Sequence, residues 1–89
     1  SITNNLWDIE GVKQYRFIQE DVKDYTIWLN GDPQKMNQEE ILGRIRPYLG
    51  EEARIRVELV DEIPVLASGK RKYIENRCEK YKNQTGFCG

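Results

Sequence analysis

Apolar and polar positions alternate along the first third of the chain. In residues 12–19 (VKQYRFIQ), Tyr15 and Phe17 fall on one side of an extended segment, with Val12, Gln14, Arg16 and Ile18 on the other. This period of two is that of a strand. Residues 25–29 (YTIWL) repeat it, with Tyr25, Ile27 and Leu29 against Thr26 and Trp28. The short charged connection between the runs, Glu20 to Asp24, predicts an antiparallel hairpin. After the turn cluster Asn30-Gly31-Asp32-Pro33 the period changes. Ile41, Leu42, Ile45 and Leu49 have helical spacing and predict a helix over 38–49. Asn37 and Glu40 stand as its capping box. Gly43 and Pro47 weaken the helix end, since Pro removes a backbone donor, and Gly50 is a natural stop. Residues 54–60 (RIRVELV) give the cleanest strand, with Ile55, Val57 and Leu59 facing in and Arg54, Arg56 and Glu58 facing out. Pro64 ends it, and residues 64–70 (PVLASGK) read as a loop. Tyr73, Ile74, Cys78 and Tyr81 recur at helical spacing and predict a second helix over 71–82.

The order β-β-α-β-loop-α defines a small α+β domain: a three-stranded, antiparallel-rich sheet with helices packed on one face. Residues 1–11 read as an entry segment whose Trp7 packs on the sheet, and residues 83–89 as a mobile tail. Eighty-nine residues make one domain, with room for a modest core and no deep cleft. The net charge of −1 excludes a whole-chain electrostatic grip on nucleic acid or on an anionic membrane. No apolar run approaches the roughly 20 residues of a membrane span. With no His and only two Cys, a zinc site is not expected. Cys78 and Cys88 stand ten apart, a spacing that a disulfide can bridge. Small disulfide scaffolds are far denser in Cys, however, so two free thiols in a cytoplasmic protein is the plainer reading.

One segment reads as more than scaffold: Glu62-Ile63-Pro64-Val65-Leu66-Ala67-Ser68-Gly69-Lys70-Arg71. The Ser68-Gly69 pair makes a turn of little bulk, so backbone can approach a ligand closely. Lys70 follows as a mobile point charge with three donors, and Arg71 and Lys72 extend the basic run. Such a turn suits a phosphate or a carboxylate. It is not a phosphate-cradling loop of the Gly-x-x-x-x-Gly-Lys-Ser/Thr kind, because Pro64 holds the first Gly position and Arg71 the Ser/Thr position. On physical grounds alone, a solvated basic turn is the commoner meaning of these residues.

The run Val60-Asp61-Glu62-Ile63-Pro64, followed by Ser68-Gly69-Lys70-Arg71, resembles the last core motif of the adenylate-forming ligase superfamily. The strand Val12-Lys13-Gln14-Tyr15-Arg16-Phe17-Ile18-Gln19 is similar to one in its phenylacetate-CoA ligase-like branch, which includes capsular polysaccharide biosynthesis proteins. At residue 16 that strand usually has Gln where this chain has Arg. The resemblance spans about residues 5–76. It implies that residues 1–89 are the C-terminal lid domain of a larger, cytoplasmic ligase, not active alone. In that family Lys70 would be the catalytic residue, set between substrate carboxylate and α-phosphate. Ser68, Gly69 and Arg71 would form the loop that presents it. The partner implied is the large N-terminal adenylation domain of the same polypeptide, which would bind ATP, magnesium and the carboxylic acid, with coenzyme A as one acceptor of the acyl group. The competing reading is a stand-alone α+β interaction or regulatory module, in which Tyr15, Phe17, Tyr25 and Trp28 would form a stacking platform for RNA.

Overall fold

A computed structural model describes residues 8–69 and 71–79. The elements run β1 (Val12–Asp21), β2 (Asp24–Gly31), α1 (Gln38–Leu49), β3 (Arg54–Leu59) and β4 (Ile74–Asn76). They form one four-stranded sheet in the order β3-β2-β1-β4. The small α+β fold expected from the sequence is therefore present, with the antiparallel hairpin β1-β2 at its centre. Each edge adds a parallel strand, β3 against β2 and β4 against β1.

The alternation in β1 and β2 sets the two faces. Register pairs Tyr15 with Leu29, Phe17 with Ile27 and Gln19 with Tyr25. In β3, Ile55 and Val57 continue this row beside Tyr25 and Ile27. Helix α1 lays Ile41 and Ile45 on that face. Both are fully buried with Phe17, Ile27 and Leu29, while Leu42 and Leu49 pack at the margin. The crossover β2-α1-β3 thus joins adjacent parallel strands through the helix that covers them, as parallel pairing requires.

The helix starts where the capping residues place it. The Asn37 side chain accepts from the Glu40 amide at 3.2 Å. The reciprocal half of the capping box is not made: the Glu40 carboxylate accepts from Arg44 one turn on. Pro47 does not shorten the helix, which continues to Leu49. The carbonyl its ring crowds belongs to exposed Gly43, where no side chain stands in the way. Gly50, at φ +96°, closes the end by donating to the Arg46 carbonyl at 2.8 Å. Asn37→Ala is expected to lower stability by about 1 kcal/mol, read as a shift in the urea midpoint at unchanged slope.

The structure corrects the expected second helix. Over the described part of 71–82 the chain is a short strand, β4. Its backbone completes the open edge of β1: the Phe17 amide donates to the Tyr73 carbonyl at 2.7 Å and the Arg77 amide to the Gln19 carbonyl at 2.8 Å. An edge left bare would expose a row of unpaired backbone groups, and satisfying it outweighs a helical spacing of four side chains. The expectation of free thiols is corrected as well, since Cys78 is disulfide-bonded. It is buried just beyond β4, its amide on the Asn76 side-chain oxygen at 2.8 Å. Trp7, Tyr81, Cys88 and the 83–89 tail lie outside the described residues.

Candidate functional site

The segment from β3 to β4 must travel from one edge of the sheet to the other. It crosses the face opposite α1, and side chains on that face hold it. Asn30 donates to the carbonyls of Val60 and Asp61, at 3.1 and 2.7 Å. Gln14 accepts from the Ile63 amide at 3.2 Å, and Ile63 is buried. Arg16 then donates to Pro64 O from Nη2 at 3.0 Å and to Lys72 O from Nε at 2.9 Å. At the β4 edge the Tyr73 ring packs instead against the core on the α1 side, 5.1 Å from the Tyr15 ring.

Between these anchors the loop is exposed. Val65, Leu66, Ala67, Ser68 and Gly69 all face solvent, and so does Arg71. The Gly69 amide donates to the Leu66 carbonyl at 2.8 Å, closing a turn. Gly69 has φ +84°, a conformation that residues with a Cβ rarely adopt. The turn foreseen around Ser68-Gly69 is therefore real, and a glycine is what its geometry calls for. Ser68, Gly69 and Arg71 are brought into one exposed loop; Lys70 itself lies outside the described residues.

The anchors have little signature in the local sequence. Gln14 and Arg16 were legible only as the outward positions of a strand, and nothing local says that such positions hold a distant loop. Arg16 carries a signal of its own: a long charged side chain between Tyr15 and Phe17 in the middle of the strand. Only 7% of it is exposed, its Nη1 is 3.8 Å from Glu75, and its guanidinium sits 5.5 Å from the centre of the Trp28 ring. Arg16 thus ties the β3–β4 connection at two points, Pro64 and Lys72.

The rest of this face is a carpet of paired charges. Arg54 is bonded to Asp24 and holds that carboxyl below its usual range. Arg56 pairs with Glu58 at 3.1 Å, and Arg77 with Glu75 and Glu20. Hydrogen bonding to Glu75 pushes the Arg77 guanidinium up. A shallow groove of about 640 Å³ runs between Glu20, Asp24, Thr26, Arg54, Arg56 and Arg77, with its cations already answered by carboxylates. The aromatic platform required for RNA stacking is not formed. Tyr15, Phe17 and Tyr25 are at most 7% exposed beneath α1, and Trp28 points to the other face. Among the described residues no group of three or more His, Cys, Asp or Glu is placed to hold a metal. No helix among them is long and apolar enough to cross a membrane.

The chain is thus a compact α+β domain whose sheet anchors one exposed glycine turn. It belongs to the family of CapK C-terminal domains, whose model matches residues 1–77, and this associates it with capsule biosynthesis. That match takes in β1 to β4 and the whole anchored loop. Neither a curated protein nor a solved structure matches the chain.

Proposed function

We propose that this domain is the mobile lid of an ATP-dependent, acyl-adenylate-forming ligase and that Lys70 is its catalytic residue. The observation that supports it most is the loop itself. A sheet with a well-packed core presents Ser68-Gly69 in an exposed turn, with backbone anchors before and after, at the point where the sequence has the Gly-Lys pair.

In the reaction proposed, a carboxylate oxygen of the acid attacks the α-phosphorus of ATP. A new O–P bond forms and pyrophosphate leaves. Both reactants are anions, and charge crowds further in the transition state. A lysine, with a reference pKa near 10.4, is cationic at neutral pH. Placed between carboxylate and α-phosphate it would offset the repulsion and orient the attack. Ser68, Gly69 and Arg71 would shape the turn and its field. The ligase resemblance assigns both magnesium and the nucleotide pocket to the large domain of the parent. The acyl group would then pass to an acceptor such as coenzyme A, after the lid has swung away. Dependence on ATP fits a cytoplasmic site.

The test uses the parent polypeptide and the chain alone. Acid-dependent ATP–pyrophosphate exchange by the parent should be lost on deleting residues 1–89. The isolated chain should bind ATP no tighter than about millimolar, because an exposed turn lacks a concave, water-excluding site. Micromolar ATP affinity for the chain alone, or exchange that survives the deletion, would overturn the reading.

A further inference from the structure

We propose that Arg16 is a positioning residue that clamps the loop bearing Lys70 at both ends, an inference that rests on the ligase reading for its catalytic consequence but not for its geometry. One guanidinium reaches two backbone carbonyls, Pro64 O at 3.0 Å and Lys72 O at 2.9 Å, which stand before and after the Ser68-Gly69 turn in the chain. A planar fork of five fixed donors can bridge two such acceptors. The ammonium of a lysine is a compact charge on a flexible stem, and the amide of a glutamine is shorter and has a single nitrogen.

The clamp is itself held. Arg16 lies in the central strand β1, facing the Trp28 ring at 5.5 Å, with Glu75 of β4 at 3.8 Å to balance its charge. Burial in this surround strengthens both hydrogen bonds, because water does not compete for the donors. Its position on the rigid hairpin means that the loop ends inherit the order of the sheet core. Among the described residues between the ends, one backbone bond is made, from the Gly69 amide to the Leu66 carbonyl, and the side chains are exposed. The direction in which the turn projects is therefore set by its two feet, and Arg16 ties both.

The first test is made on the 89-residue chain by NMR. A scalar coupling across the hydrogen bond from Arg16 Nε to the Lys72 carbonyl carbon should be detectable in the native protein, and its absence would overturn the clamp. Backbone order parameters at Leu66, Gly69 and Arg71 should fall from about 0.85 to below about 0.6 in Arg16→Lys, while β1 and β2 stay rigid. Unchanged loop order in Arg16→Lys, or a loop already below that value in the native chain, would also overturn it. The coupling measurement needs no variant, so it decides even if substitution at Arg16 prevents folding.

The second test is made in the parent. Arg16→Lys should slow the adenylation step by about 10- to 100-fold through misplacement of the loop. Combined with Lys70→Ala it should slow the step no further than Lys70→Ala alone, because Arg16 acts through Lys70. Additive losses would mean a general structural role and would overturn the catalytic part. A silent Lys70→Ala would instead overturn the ligase reading, leaving the loop-order result to decide the clamp.

Discussion

Replacing Lys70 by Ala in the parent is expected to slow acyl-adenylate formation by about 10²- to 10³-fold, the usual effect of removing one preorganised charge contact to a developing anion. The second half-reaction, started from synthetic acyl-adenylate, should be far less affected, since no charge then develops between carboxylate and α-phosphate. Stability should change by less than about 0.5 kcal/mol. Arg71→Ala and Lys72→Ala are the controls. Each removes one unit of charge within two positions of Lys70. Both side chains are exposed, and the Lys72 contact to Arg16 is made by its backbone carbonyl, which the substitution leaves in place. If only the local field mattered, all three variants would slow adenylation alike. A positioned lysine should stand well apart from both. Pyrophosphate exchange reads the first step and single-turnover acyl transfer the second. Equal modest losses in the three variants, or normal exchange by Lys70→Ala, would remove Lys70 from the catalytic role.

What the sequence showed and what it hid divide along a physical line. β1, β2, β3 and α1 each carry a local signal, in alternation, in the Asn37 cap or in the stop at Gly50. Local interactions and one-sided burial are enough to choose those elements. β4 has no such signal. It is three residues long, too short to show a period, and exists because the edge of β1 offers backbone partners to whatever lies beside it. The helical spacing of Tyr73, Ile74, Cys78 and Tyr81 was therefore a coincidence of composition over the part described. The turn at Ser68-Gly69 was legible from its small residues, and the left-handed Gly69 agrees with it. Its support was not legible, because Gln14, Arg16 and Asn30 act on residues 30 to 56 positions away along the chain. Contacts that distant follow from the path of the β3–β4 connection, and that path depends on the strand order.

The core supplies the other large effect. Phe17→Ala is expected to destabilise the domain by about 3–5 kcal/mol, the range for truncating a buried aromatic ring. Phe17 is fully buried at the centre of β1, opposite Ile27 of β2 and beside Ile74 of β4. Its ring meets that of Tyr15 edge-on, with centres 5.7 Å apart. Truncation would open a void that Ile27, Ile41 and Ile45 cannot fill, because each is itself fully buried and held by its own strand or helix. At roughly 0.05–0.15 kcal/mol per residue, a domain of this size has about 4–13 kcal/mol in all, so the loss is a large fraction of its stability. The exposed Val65→Ala on the loop is the comparison and should shift stability by no more than about 0.5 kcal/mol. Urea unfolding followed by circular dichroism measures both. A loss below about 1.5 kcal/mol for Phe17→Ala would show that the sheet core does not close on this ring. The anchors of the Lys70 loop would then rest on a less rigid base, since Arg16 is the neighbour of Phe17 in the same strand.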